Sequence, residues 1–342
     1  MTTDTTMKAI GFTQSLPIEA QDSLFEFEAP YPHPMAHDLI VKVSAISINP
    51  VDAKVRTRAA KDKVLETPRI VGYDAVGTVV ALGESVEDFS VGDRVYYAGD
   101  INRPGSNAEF QAVDSRIVAK TPTRLTYAEA AALPLTALTG WETLFDRLRI
   151  DPAAKNKTLL IIGGAGGVGS ISIQIAKQLT HLTVIATASR PESEAWVKSM
   201  GADYVANHKN LTQSVKELGF EHVDYIFNTA DSLGHWDAMV ELIAPQGMIA
   251  SIVEFNGSVN ISQLQSKSAG FVWELMFTRS LYKTDDMIQQ QIILQKLAKL
   301  VDEGRIKTTL TSSLQGFTID HFKEAHRRIE SGKTLGKIAI SF

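Results

Sequence analysis

The sequence predicts an α/β protein: a doubly wound parallel sheet joined to a β-rich lobe. Three observations carry this. The unbroken apolar run Thr158-Leu-Leu-Ile-Ile162 leads into the glycine-rich segment 163–169 and then an amphipathic stretch over 170–179. That is the strand–turn–helix order of a strand buried on both faces of a parallel sheet. Further apolar runs at 183–188, 204–206, 225–227 and 248–253 recur with helical segments between most of them, the alternation of βαβ units. The first third instead carries short strands separated by turns, the pattern of an antiparallel, barrel-like lobe. At 342 residues the chain exceeds what one core usually supports, so two cores are expected.

The elements follow in chain order. The opening Met1-Thr-Thr-Asp-Thr-Thr-Met7 has neither a basic segment nor an apolar core, so it does not read as a signal peptide. In 39–47, Val41, Val43 and Ala45 share one face and Lys42 and Ser44 the other, as in a half-buried strand. The runs 77–83 and 93–97 are two more short strands bounded by Gly or Asp. From 127 to 147, Ala, Leu and Trp fall at helical spacing broken by Pro134, which predicts two helices. Residues 270–277 alternate as a strand, with Phe271, Trp273, Leu275 and Phe277 on one face and Val272, Glu274 and Met276 on the other. A helix over 285–301 and a last strand over 337–341 complete the reading. The lobes divide as 1–126 completed by 281–342, and 127–280.

Composition narrows the function. With 34 basic and 39 acidic residues the net charge is −5, so no bulk positive field favours nucleic acid or an anionic membrane. The chain has no Cys, which excludes disulfides, thiolate zinc sites, iron–sulfur clusters and a Cys nucleophile. Its longest apolar stretch, 159–169, falls well short of the ~20 residues of a membrane span. The expectation is a soluble, cytoplasmic protein.

The strongest chemical signal is Gly164-Ala165-Gly166-Gly167-Val168-Gly169, a GxGxxG between a strand and a helix. Glycines there permit a tight turn and close approach of backbone N–H groups to a pyrophosphate, which the helix N-terminus also attracts. The end of the next strand reads Ser189-Arg190, where an NAD site usually offers an acid to the ribose. A hydroxyl and a guanidinium suit a 2′-phosphate, favouring NADP(H). The alternative is a solvated Arg190 with Glu192 acting as that acid. His208 lines either the adenine side or a surface loop. Asn228, and Val253 through Phe255, end the fourth and fifth strands on the carboxyl edge where open sheets bind ligands.

Four stretches together resemble the medium-chain dehydrogenase/reductase superfamily: Gly72-Tyr73-Asp74…Gly77-Thr-Val with Val91-Gly92-Asp93-Arg-Val95, Leu133-Pro134…Leu138-Thr139-Gly-Trp141, the Gly163–Gly169 loop, and Glu330-Ser-Gly-Lys…Gly336-Lys337. Within it the chain is most similar to quinone oxidoreductases of the zeta-crystallin type, and close to a bacterial group labelled zinc-type alcohol dehydrogenase-like. The resemblance implies a GroES-like catalytic lobe, a Rossmann domain and a cofactor in the cleft. It places Thr136 near the nicotinamide side, brings Lys337 back to the cofactor, and puts Asn49 at the nicotinamide ribose or substrate; Asp52 could instead cap the following helix. Tyr73 stands where zinc members carry a histidine ligand, and is either a proton donor or a cleft-lining aromatic. With no Cys, and eight histidines without HxxH or HExxH spacing, no metal site is expected.

Without a Lewis acid, ketone–alcohol exchange loses charge stabilisation. The expected function is therefore NADPH-dependent, zinc-independent hydride transfer to a quinone or α,β-unsaturated carbonyl. The alternatives are an alcohol or aldehyde reductase, or an NADPH-binding protein with little catalysis. The expected partners are a small-molecule substrate and a second copy of the chain. The strand over 270–277 is expected to extend the parallel sheet at its edge and to pair with its mate across a twofold axis, because an apolar edge strand needs cover.

Overall fold

The computed structural model describes residues 5–342; the first four residues of the N-terminal stretch read above lie outside it. The chain forms two compact units. One is continuous, Thr136–Met276; the other joins the chain up to Leu135 to Phe277–Phe342. The sequence reading sets these limits at 126/127 and 280/281. The first differs because the short helix Tyr127–Ala131 packs on strands Asp38–Ile48, Ala75–Leu82 and Lys337–Ser341 of the discontinuous unit.

The continuous unit is built on six parallel strands. Their spatial order is Tyr204–Ala206, Thr183–Thr187, Thr158–Ile162, Val223–Asn228, Ile243–Ser251, Gly270–Trp273, the 3-2-1-4-5-6 winding of a dinucleotide-binding fold. The first strand is central: Leu160 pairs with Ile185 on one side and Ile226 on the other. Leu159, Leu160, Ile161 and Ile162 are all completely buried, which explains why that run shows no polar alternation. Because connections between parallel strands cross the sheet, the strands' carboxyl ends share one edge.

Two expectations are corrected here. The edge strand ends at Trp273 rather than Phe277, because its neighbour ends at Ser251 and the ladder has no further rungs. Glu274 N–H takes the last acceptor, Ser251 O (3.0 Å), and the chain turns into the helix Thr278–Tyr282. The helical stretch 127–147 does split at Pro134, which opens the helix Pro134–Trp141, but it then widens into a π-helical turn over Glu142–Arg147.

The discontinuous unit holds a seven-stranded sheet. Its order is Leu310–Gln315, Lys337–Ser341, Asp38–Ile48, Ala75–Leu82, Arg94–Tyr97, Val118–Lys120, with Phe110–Asp114 also paired to Asp38–Ile48. Only the first pair is parallel. A smaller sheet, Phe25–Pro30, Thr6–Phe12, Arg69–Ile70, completes it. The helix expected from 285 begins at Gln289, since Asp286 is held in the preceding turn by Thr284 (2.7 Å) and Arg279 (2.9 Å). No helix of the described residues is long and apolar enough to cross a membrane.

Candidate functional site

The glycine loop closes over the carboxyl end of the central strand. Gly166 caps the helix Gly167–Leu179 without any side chain of its own. The first helical N–H groups have no acceptor within the helix, so they and the helix dipole present a ready anion site. Gly169 cannot be anything larger: a Cβ there would lie 2.4 Å from Gly163 O. Side chains outside the motif hold the loop in shape. Thr187 Oγ1 accepts from Gly163 N (2.9 Å), and Thr229 Oγ1 donates to Ile162 O (2.8 Å). Ser170 Oγ donates to Gly166 O (2.7 Å) and accepts from Trp196 Nε1 (2.7 Å). Thr187, Thr229 and Trp196 escape a motif search because they come from other βα units.

Next along that edge, Ser189 and Arg190 follow strand Thr183–Thr187, both half-buried. Arg190 Nε lies 3.3 Å from Glu192 Oε1, so the one acid that could serve a ribose is already beside a guanidinium. His208 is half-buried at the end of the adjoining strand and meets His235 edge-on, ring centroids 6.3 Å apart. With Lys209 the two line a cavity of ≈ 330 Å³. Burial, helped by His208, holds His235 below the usual histidine range. Asn228 is fully buried, donating to Ser232 Oγ (2.9 Å) and Ser251 Oγ (3.1 Å); it ties two strand ends together. Ser232 Oγ in turn donates to Val253 O. Phe255 packs among Trp236, Phe271 and Trp273, and Thr136 is buried at the start of the unit.

In the discontinuous unit, three of the four motif stretches, joined by Asn49, meet at one carboxylate. Asp74 is completely desolvated, and its Oδ1 accepts from Leu135 N (2.7 Å), at the start of the Pro134 helix. Its Oδ2 accepts from Asn49 Nδ2 (2.8 Å) and Lys337 Nζ (3.0 Å). Lys337 also donates to Ile48 O (3.2 Å) and to Asn49 Oδ1, and Asn49 Nδ2 reaches Tyr73 O (3.1 Å). Asp52 Oδ2 accepts from Asn49 N (2.7 Å), capping the helix Pro50–Arg58. Burial raises the carboxyls of both Asp52 and Asp74, Asp52 to about 7. From the last motif, Glu330 pairs with Arg56 (2.6 Å), whose side chain is wholly buried.

Tyr73 lies beside this cluster, 1% exposed and edge-on to Phe277 at 5.3 Å. Its hydroxyl is buried and makes no hydrogen bond among the described residues. Burial, reinforced by Asp52 and opposed by Arg69, pushes that hydroxyl up to about 12, so it is a neutral donor near pH 7. The structure thus brings Asn49, Tyr73 and Lys337 together, with the side chains of Asn49 and Lys337 committed to the buried network. It gathers the glycine loop, Ser189, Arg190, His208, Asn228, Val253 and Phe255 along one sheet edge. Sequence reasoning missed Asp74 as the hub.

With that geometry in view, residues 35–123 match the alcohol dehydrogenase GroES-like domain and residues 200–340 the zinc-binding dehydrogenase family. The chain belongs to the medium-chain dehydrogenase/reductase superfamily. It is 46% identical to a zinc-type alcohol dehydrogenase-like protein of Staphylococcus epidermidis, over 98% of this chain and 99% of that one. It is 31% identical to the 2-methylene-furan-3-one reductase of Solanum lycopersicum, over 88% of this chain and 71% of that protein. A solved structure from Rhizobium etli CFN 42 superposes with a TM-score of 0.94 at 46% identity, covering 98% of each chain. The quinone oxidoreductase of Coxiella burnetii follows at 0.81 and 26%, over 98% of this chain and 99% of that one. The chain is an oxidoreductase of this superfamily with a GroES-like and a Rossmann-like domain.

The zinc in those family names does not fit these residues. A catalytic zinc of this kind needs Cys, His or carboxylate ligands. The chain has no Cys, the position that the family resemblance assigns to a histidine ligand is the buried Tyr73, and the neighbouring Asp74 is paired with Lys337. Among the described residues no three His, Asp or Glu side chains cluster to hold a metal.

Proposed function

We propose that this chain is an NADPH-dependent, zinc-independent reductase of quinones or α,β-unsaturated carbonyls, working in the cytoplasm as a homodimer. The observation that carries the chemistry is the buried, neutral, unpartnered hydroxyl of Tyr73 at the position of a metal ligand. A donor of that kind serves an acceptor whose developing charge spreads over a conjugated system, where a single hydrogen bond replaces a Lewis acid.

The coenzyme is NADP(H) on this reading. The amides of 166–169 would hold the pyrophosphate, Ser189 and Arg190 the 2′-phosphate, and His208 the adenine side. Bound there, NADPH would supply a hydride. The protein's part is to orient the acceptor, exclude water and present the Tyr73 proton to the substrate oxygen. Two relatives support the class: the tomato enzyme above, and an NADPH-dependent alkenal/one oxidoreductase of Arabidopsis thaliana that is 29% identical. For the dimer, the support is the edge strand Gly270–Trp273, where Trp273 is 47% and the following Leu275 50% exposed.

The test follows NADPH absorbance with quinones, enones and simple ketones, with and without a chelator. Enones or quinones should turn over, ketones should not, and the chelator should change nothing. Tyr73→Phe should lower kcat by ~10²–10⁴ while leaving NADPH affinity and the melting temperature unchanged. Full activity in that variant, or ketone reduction that a chelator abolishes, would refute the reading.

A further inference from the structure

In the discontinuous unit, Phe27 and Phe110 pack against a small cluster of Met7, Ala9, Ala29, Ile70 and Ala108, yet both rings stay only partly buried. They border a cavity of ≈ 550 Å³ between the smaller sheet and the segment 101–105. That volume is in the range of sites for small organic molecules. Tyr31 packs against Phe110 in its wall, ring centroids 4.9 Å apart and planes tilted by 55°. The lining is mostly aromatic and apolar, with Thr67, Asn102 and Gln111 as its uncharged polar residues and two guanidinium groups that are not equivalent. Arg103 is neutralised by a two-pronged pair with Asp38 at 2.8 and 2.7 Å. Arg69 has no such partner: its guanidinium donates to Ile101 O (3.2 Å) and also faces the Tyr73 hydroxyl, but no carboxylate lies within ion-pair distance of it among the described residues. The nearest acid in sequence on that loop, Asp100, accepts instead from Asn102 N (2.8 Å).

A guanidinium held at an apolar wall without a counter-charge is costly, and a carboxylate is its geometric match. We propose that this cavity is a binding site for a small aromatic carboxylate, the ring set among Phe27, Tyr31 and Phe110 and the carboxylate on Arg69. It lies wholly within one unit and is separate from the glycine loop, so it stands whether or not the reductase reading does.

Calorimetric titration of the full chain with 2-naphthoate and its neutral isostere 2-naphthamide tests this. One site per chain should prefer the carboxylate by about tenfold, the effect of a charge-assisted hydrogen bond, and saturating NADPH should leave it unchanged. Arg69→Gln should abolish the preference and Arg69→Lys retain part of it. Thr67→Trp, an exposed position on the cavity rim, should weaken both probes without lowering the melting temperature. Equal affinities in the wild type, a preference that survives Arg69→Gln, or displacement of 2-naphthoate by NADPH would each overturn the assignment.

Discussion

The glycine loop and the Asp74 cluster are both built from family motifs, yet they handle polar groups in opposite ways. The loop leaves donors open: Gly166 caps a helix with no side chain, and the first amides have nothing to bond within the helix. Around Asp74 the donors are already engaged, and Asn49 Nδ2, Lys337 Nζ and Leu135 N all bond one carboxylate. Motif residues therefore divide into those that wait for a ligand and those that stand in for one. A sequence pattern alone does not separate the two; satisfaction of hydrogen bonds does.

Substitutions sharpen this contrast. The largest effect should come from Asp74→Ala, which strands the Lys337 ammonium in a dry site. Losing one partner of a buried pair costs ~3–5 kcal/mol, so denaturant unfolding of this unit should move by that much. A change below 1 kcal/mol would show that the cluster is not structural. Asp52→Asn tests the pH dependence. Burial raises the Asp52 carboxyl from its ordinary 3.8 to about 7, so the folded state binds its proton more tightly than the unfolded chain. Stability from this group is full below pH ~4 and declines as pH rises towards 7. The asparagine can still cap Asn49 N but does not ionise. It should be more stable than wild type at pH 8, by at most ~4 kcal/mol, and equal at pH 4; parallel curves would refute the assignment.

On the open side, Arg190→Ala should weaken NADPH binding by ~1.5–3 kcal/mol and leave NADH nearly untouched. A wild type that prefers NADH would reverse the cofactor reading. The smallest effect on folding should follow Trp273→Lys on the sheet edge, about 1 kcal/mol from its lost ring contacts with Phe255 and Phe271. Light scattering should nonetheless show the dimer giving way to monomer, and a wild type already monomeric at micromolar concentration would remove the dimer.

The parallel sheet was legible because its signals are local. Leu159 to Ile162 announce burial on both faces, and the glycines follow at once. The discontinuous unit was harder. Strand Leu310–Gln315 is Leu-Thr-Ser-Ser-Leu-Gln, polar because it lies at a sheet edge with alternate residues exposed. The strand at 270 looked longer than it is because Leu275 and Phe277 continue the alternation after the neighbouring strand has ended at Ser251. Asp74 could not be read as a hub because its partners stand 25, 61 and 263 residues away. Asn49 and Lys337 were each singled out, one for the nicotinamide ribose or substrate and the other for the cofactor; the fold commits both side chains to Asp74. Their commitment to each other is a tertiary fact that no local window contains.

Strand Lys337–Ser341 sits inside its sheet, between Leu310–Gln315 and Asp38–Ile48. During synthesis the ribosome delivers residues in order, and domains generally fold as they emerge. The continuous unit holds all six of its strands once Trp273 is out, and can close its core while the rest is still being made. The other unit cannot: though its strands from Asp38 onward appear first, Ile46 and Ile48 lack the neighbour they pair with in the finished sheet. Until residue 337 arrives, Asp74 has no ammonium to meet. The segment made first is thus completed last, and its exposed strand edge is the part of the nascent chain that most needs shelter.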